Sequence, residues 1–270
     1  MTSLVDASGV ALALPHPPRR IVSLIPSTTE ILCRLDLANA IVGVSAYCVE
    51  PPEVMRGKPK VGGEKNPDLA AIRTLVPDLV IANFEENRRP DVEALRASGL
   101  TVWVTYPRTV PDTLAMIRAL GEVTGTVARA SAMVAEIEPL YARAGAESAA
   151  QPGVPVFYPI WRGPWMTINR DTYVHEVLTL CGGANVFADR PGRYPTVTLE
   201  EMAAQRPEVI LLPDEPFRFR RAHLADFAAY GDVPAVRDGR IHLVDGRLCA
   251  WHGPRVAEAL RTLPPLLRAR

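Results

Sequence analysis

"PDLAAIRTLVPDLVI", residues 67–81, and "VTLEEMAAQRPEVIL", residues 197–211, align without a gap at an offset of 130. The alignment pairs Leu69 with Leu199, Ile72 with Met202, Pro77 with Pro207, Asp78 with Glu208 and Leu79 with Val209. Each copy opens on a residue able to cap a helix, Asp68 or Thr198, runs at helical period, and stops at a proline that cannot continue the ladder. An acidic residue then opens a short apolar run of the kind buried on both faces of a parallel sheet. The same idiom at the same spacing in both halves predicts a duplicated α/β lobe.

The flanking segments extend the alternation. "IVSL" (21–24), "AIVGVS" (40–45), "LVIAN" (79–83) and "TVWVTY" (101–106) read as buried strands, with helices in "EILCRLDLA", "DLAAIRTL" and "RPDVEALRASG". "GVALALP" ahead of the first strand reads as part of an edge hairpin, and Ser27 with Glu30 in "STTE" has the spacing of a capping box. From 110 to 150 the pattern is helical throughout, with Pro139 as the interior breaker of a long second helix. Alternation then resumes: strands at 154–160, 208–213 and 240–245, helices in "TYVHEVLTLCGG", near 221–230 and in "GPRVAEALRTLPPLL". "SGLTVWVTYP" answers "DGRIHLVDG" downstream of the repeat. The expected architecture is two Rossmann-like α/β lobes joined by a single long helix: residues 1–110 an N-terminal lobe, 111–150 connecting helices, 151–270 a C-terminal lobe.

Composition bounds the function. The 270 residues are 48% hydrophobic and 22% charged with zero formal net charge, values of a soluble globular protein. No apolar run reaches the roughly 18 residues of a membrane span. The basic residues are scattered, so nucleic acid is not an expected partner. The opening "MTSLVDASGVALALPHPPRR" lacks the basic start, apolar stretch and cleavage site of an export signal, which places the chain as written in the cytoplasm, or outside it where a leader has been trimmed. Cys33, Cys48, Cys181 and Cys249 form no C-x-x-C pair and read as buried thiols, with a disulfide open to an exported protein. His175-Glu176 lacks the second histidine of a zincin because Thr179 stands in its place, and there is no G-x-S-x-G, P-loop or G-x-G-x-x-G. No enzyme chemistry is expected, and no cofactor is required.

One stretch is enriched in aromatic residues. "YPIWRGPWMTIN", 158–169, places Tyr158, Trp161, Trp165 and Met166 within nine residues of a chain that is 6% aromatic. Gly163-Pro164 makes it a loop after a strand, where open α/β sheets bind ligands. Each tryptophan can face a ligand or anchor the loop on the core. "LCAWHGPR", 248–255, is the second such loop: Trp251 and His252 would face the ligand, the imidazole of His252 could reach a metal centre, and Arg255 could hold an anionic or amide group.

The blocks "RIVSLIPSTTEIL", "VGVSAYCVEPPE", "NPDLAAIRTLVPDLVIA", "VHEVLTLCGGANVFAD", "YPTVTLEEMAAQRPEVILL" and "CAWHGPRVAEAL" resemble, in order and spacing, the substrate-binding proteins of vitamin B12 and iron-chelate ABC importers. These are the helical-backbone, or class III, periplasmic binding proteins, and the resemblance runs from about residue 18 to the end, closest to the cobalamin-binding branch. It implies a monomer that holds its ligand between lobes, with Ser27, Tyr47, Ile160, Met166, Tyr194 and Arg255 where that branch lines its cleft, and Phe84 beside Asn83 where a tryptophan is expected. It also implies a permease contact through an acidic residue on each lobe, which Glu200 supplies and which is Ala70 at the other position. The expected function is therefore binding of a cobalamin-like corrinoid or related metal chelate for an ABC importer. The ligand site is expected to use Ser27, Tyr47, Phe84, Trp161, Trp165, Met166, Tyr194, Trp251, His252 and Arg255. A ferric siderophore or haem is the alternative cargo. A cytoplasmic enzyme or chaperone handling a metal cofactor is the rival of another class, and a bare-metal receptor would need more inward His, Asp or Glu than His252.

Overall fold

The structure is a computed structural model that describes residues 4–12 and 14–268. It divides into two compact units, Met1–Pro107 with Pro111–Ala135, and Arg108–Val110 with Glu136–Arg270. In the first, the order is β1 (Ile21–Ser23), α1 (Pro26–Arg34), β2 (Ile41–Val44), α2 (Pro52–Met55), α3 (Leu69–Thr74), β3 (Leu79–Asn83), α4 (Arg89–Ala97) and β4 (Val102–Thr105). The four strands are parallel in the order β2-β1-β3-β4. They are nearly continuous runs of buried apolar residues, because helices cover a parallel sheet on both faces. Val22, Val80 and Val102 form one core with Ile72 and Leu95 from the helices.

Two helices follow, α5 (Val110–Thr124) and α6 (Val127–Ala149), and the boundary between the units falls within α6. The second unit continues with β5 (Val154–Phe157), α7 (Tyr173–Leu180), β6 (Gly183–Asn185), α8 (Leu199–Ala204), β7 (Val209–Pro213), a 3-10 helix (Arg221–Tyr230), α9 (Pro234–Arg237), β8 (Ile241–Val244), α10 (Arg247–Ala250), α11 (Arg255–Thr262) and α12 (Pro264–Arg268). Its sheet is also parallel, in the order β6-β5-β7-β8. Among the described residues no helix is long and apolar enough to cross a membrane.

The duplication extends to backbone detail. α8 and β7 lie 130 residues after α3 and β3 at both ends. Asp68 accepts from the N–H groups of Ala70 and Ala71 at 3.0 and 2.9 Å, and Thr198 forms a capping box with Glu201. After each helix the chain turns through one left-handed residue, Val76 (φ 45°) and Arg206 (φ 49°), ahead of the proline. The two sheets have the same strand order, so the repeated idiom marks repeated topology.

Four local expectations needed correction. Ser27 is not a cap: Pro26, whose fixed φ suits the first helical position, moves the N-cap to Ile25, whose apolar side chain cannot accept from the first-turn N–H groups. "GAN" at 183–185 is a strand without β-branched residues, held by parallel pairing with β5. The 221–230 segment is helical as expected, in the 3-10 form, whereas 247–250, expected as loop, is the short helix α10. The N-terminal hairpin is reduced to a Val5–Ala11 antiparallel bridge that joins β4 through the Ala7 N–H and Val104 carbonyl at 2.9 Å; Ala13 lies outside the described residues.

Two features set stability predictions. Val76 is 68% exposed and β-branched, so its left-handed backbone is strained without a packing return. Val76→Asn should raise the unfolding free energy by about 1 kcal/mol, read by chemical denaturation. Just past the carboxyl end of β7, Glu215 is packed so tightly against Gly246 that a Cβ there would lie 2.8 Å from the Glu215 carbonyl oxygen. Burial raises the Glu215 carboxyl to about 7 from 4.5, against the opposing donation of the Trp251 indole N–H; Asp214 and Asp245 add to the rise and Arg247 opposes it. Between pH 4.5 and 7 the folded state therefore keeps a proton that the unfolded chain has released, and stability falls as pH rises through that window. Glu215→Gln keeps an acceptor for the indole and removes the titration. Its unfolding free energy should match the parent near pH 4.5 and exceed it by about 3 kcal/mol above pH 7.

Candidate functional site

Because every strand of each sheet is parallel, all carboxyl ends lie along one edge. In the order β2-β1-β3-β4 the direction of winding reverses between β1 and β3, and in the second sheet between β5 and β7. Loops leaving the strands at such a switch point diverge and open a crevice. Among the described residues the exposed large aromatic side chains are Tyr47, Phe84, Trp161 and Tyr194. All four lie beyond strand carboxyl ends: Tyr47 after β2, Phe84 after β3, Trp161 after β5 and Tyr194 after β6.

In the second unit the "YPIWRGPWM" loop folds back as a tight hairpin. The Ile160 N–H donates to the Met166 carbonyl at 2.8 Å and the Met166 N–H to that of Trp161 at 3.2 Å, with Gly163 (φ 72°) turning the chain. Trp161 and Met166 are directly paired, so their side chains share one face and Trp165 points to the other. That alternation decides between the two tryptophans. Trp165 stacks on Phe219 at 5.8 Å and meets Phe227 edge-on at 5.6 Å in the core, whereas Trp161 is 42% exposed and touches Phe217 edge-on at 5.7 Å. Phe217 follows β7, so this contact spans the switch point. The Phe217 N–H donates to the Ile160 carbonyl, and Arg162 makes a two-armed pair with Asp226 at 2.7 and 2.9 Å that ties the hairpin to the 3-10 helix.

A third segment completes the ladder. The Thr167, Asn169 and Val197 N–H groups donate to the carbonyls of Pro195, Arg193 and Trp165, all at 3.0 Å. Met166 thus lies between Trp161 and Thr196, and Tyr194 is placed beside them with the Arg193 guanidinium 5.8 Å above its ring. Three expected residues, Trp161, Met166 and Tyr194, are brought together by main-chain pairing.

In the first unit, Phe84 stacks on Tyr106 at 4.9 Å, joining the ends of β3 and β4. Tyr47, 61% exposed, stands on a turn whose next residue, Cys48, points inward; the Thr29 and Ser45 hydroxyls lie 3.2 Å from its sulfur. Ser27 is buried in the first turn of α1, beside this network, and the Thr29 N–H is engaged by the Ile25 carbonyl.

The remaining expected residues lie around α10 and α11. Trp251 is 8% exposed, with its indole N–H on Glu215 and the Arg255 guanidinium 4.9 Å over its ring. Of the three tryptophans expected at the site, Trp161 alone presents an exposed ring. His252 is half-buried and sits 4.5 Å from the Tyr173 ring. Glu200 is at the start of α8, its carboxyl held below the usual range chiefly by the Tyr230 hydroxyl, which donates at 2.7 Å. Ala70 occupies the matching place on α3. All four cysteines are free thiols, and burial pushes Cys33 up to about 11 and Cys181 up to about 12. Among the described residues no three His, Cys, Asp or Glu side chains converge as a metal site. Phe217, Phe219, Tyr106 and Tyr173 were not anticipated. Their sequence signal was position, since Tyr106 and Phe217 both follow closely on a strand end.

A vitamin B12-binding protein of Vibrio cholerae is 30% identical over 199 residues, covering 74% of this chain and 72% of that one. An uncharacterized ABC transporter substrate-binding lipoprotein of Bacillus subtilis is 28% identical over 96% of this chain and 82% of its own. The crystal structure of a periplasmic vitamin B12 binding protein of Vibrio cholerae superposes with a TM-score of 0.83 at 25% identity, covering 94% and 98% of the two chains. The two parallel-sheet units are those of the class III fold. The periplasmic binding protein family matches residues 21–248, and the chain belongs to it.

Proposed function

We propose that the chain is the substrate-binding component of an ABC importer and that its cargo is a cobalamin-like corrinoid. The observation that carries this reading is the placement of all four exposed aromatic side chains at strand carboxyl ends. An exposed aromatic ring costs solvation unless something covers it, and these rings are collected where α/β sheets take ligands. A flat macrocycle matches rings held on short, hydrogen-bonded loops. Its amide or phosphate substituents match the Arg255 guanidinium, and the similarity in sequence and in structure to a vitamin B12-binding protein of Vibrio cholerae supports the corrinoid over other chelates. In this reading the protein binds and releases and does not catalyse.

The lipoprotein and periplasmic descriptions of the relatives support a site of action outside the cytoplasm, and the cytoplasmic expectation gains no support from them. Glu200 is our choice for the permease contact on the second unit; its hydrogen bond to Tyr230 keeps it ionised for an arginine partner.

Tryptophan fluorescence titration with cyanocobalamin, haem and ferric siderophores tests the reading. Covering the exposed part of Trp161 is worth about 2 kcal/mol, so Trp161→Ala should weaken cyanocobalamin about thirtyfold with little change in stability. Trp165→Ala should instead lower the unfolding free energy by about 3 kcal/mol, because it empties a core position. Saturation by haem alone would reassign the cargo, and no saturable binding by any of the three classes would end the importer reading. A His252→Ala variant that loses a ligand-induced shift of the visible bands would add coordination by that imidazole.

A further inference from the structure

The chain has 27 arginines and three lysines, Lys58, Lys60 and Lys65, all within eight residues. Each lysine ammonium donates to main-chain carbonyls of a different segment. Lys58 reaches Ala38 and Ile41 at 2.6 and 2.8 Å, Lys60 reaches Cys48 at 2.7 Å, and Lys65 reaches Glu85 while standing 3.6 Å from the Glu86 carboxylate. Cys48 is the residue after Tyr47, and Glu85 is the residue after Phe84. The two clamps therefore grip the peptides next to the two exposed rings of the first unit. We infer that Lys60 and Lys65 are positioning residues that hold Tyr47 and Phe84 ready for the ligand. The inference rests on the proposed binding role of those rings.

The segment carrying the lysines is itself anchored. The Val44 N–H donates to the Pro59 carbonyl at 2.9 Å, the Val61 N–H to that of Val44 at 3.0 Å, and the Ala46 N–H to that of Gly62 at 2.7 Å, so residues 59–62 run along the free edge of β2. Gly62 (φ 87°) then turns the chain where any side chain would strike the Asn66 carbonyl, and a Cβ on Gly63 would lie 3.5 Å from the Tyr47 ring. A strap fixed to the sheet thus passes beside one ring and ends at the loop of the other.

Residue type supports the assignment. Arg20 spans the successive carbonyls of Leu75 and Val76 with its planar fork, and Arg240 reaches those of Leu266 and Leu267 from one nitrogen, whereas Arg96 meets the Val102 carbonyl alone while its fork also holds Asp6 and Ser8. The Cys48 and Glu85 carbonyls are each taken singly, which suits a compact ammonium. Binding then does not have to order these loops, a saving equivalent to about three- to tenfold in affinity per side chain.

The test uses the full chain with cyanocobalamin as the probe. Lys60→Met and Lys65→Met should each weaken binding about three- to tenfold at nearly unchanged melting temperature. Amide exchange should accelerate at 46–48 and 84–86 respectively. Lys60→Met in a Tyr47→Ala background, and Lys65→Met in a Phe84→Ala background, should weaken binding no further, because each lysine acts through its ring. Full additivity in these cycles, or unchanged exchange at the gripped loops, would overturn the inference. If the methionine variants fail to fold, Lys60→Gln and Lys65→Gln keep a polar but shorter side chain that cannot reach the gripped carbonyl, and wild-type affinity and exchange in both would overturn it as well. Should the ring variants themselves leave cyanocobalamin binding intact, the proposed site fails, and the exchange data alone then decide whether the lysines hold the loops.

Discussion

Parallel strand pairing is the constraint on which the rest of the molecule depends. A parallel ladder cannot be closed by tight turns, so each strand must be followed by a crossover, and the crossover helices bury both faces of the sheet. What they leave open is the carboxyl edge. In both units the order of strands places the reversal of winding beside the first strand, between β1 and β3 and between β5 and β7. The crevice position is thus a product of topology before any side chain is chosen. The side chains then mark it: of the rings that would be costly on a plain surface, Phe84 and Trp161 follow β3 and β5 at the reversal, and Tyr47 and Tyr194 follow the adjacent β2 and β6.

The two units solve the problem of holding such rings by different means. In the second, the rings ride on an added ladder of three short segments, braced below by Trp165, Phe219 and Phe227 and laterally by the Arg162–Asp226 pair. In the first, the added pairing is a single strap, residues 59–62, along the edge of β2. A buried cluster of Ser45, Thr29 and Cys48 draws the Tyr47 turn inward, and lysine ammonium groups take the carbonyls that the turns leave exposed. Either arrangement fixes backbone rather than ring, which leaves the aromatic face open while limiting the freedom it would lose on binding.

Much of this fold was legible in the sequence because its signals are local. The cap at Asp68 or Thr198, the helical period, and the stop at Pro77 or Pro207 each depend on a few neighbouring residues, and they recur at one spacing. The failures have physical reasons of the same scale. Ser27 looked like a cap because the capping box spacing is satisfied, but proline at the first helical position outranks it. β6 is three residues of glycine, alanine and asparagine, and only its neighbour β5 makes it a strand. The roles of Trp161 and Trp165 could not be separated by composition, since both are tryptophans on one loop. They separate once the hairpin register is known, because pairing Trp161 with Met166 turns Trp165 to the opposite face.

Comparison of the two units shows where divergence was tolerated. The helix cap, the left-handed residue and the proline persist at the offset of 130, although the residues themselves differ: Asp68 against Thr198, Val76 against Arg206. These positions serve backbone geometry, which several side chains can satisfy at modest cost. The carboxyl-edge loops differ in length, composition and method of support, and the acidic residue at Glu200 has become Ala70 on the other unit. A duplicated scaffold that keeps its backbone devices while its edges diverge is free to carry a different set of side chains on the carboxyl edge of each unit.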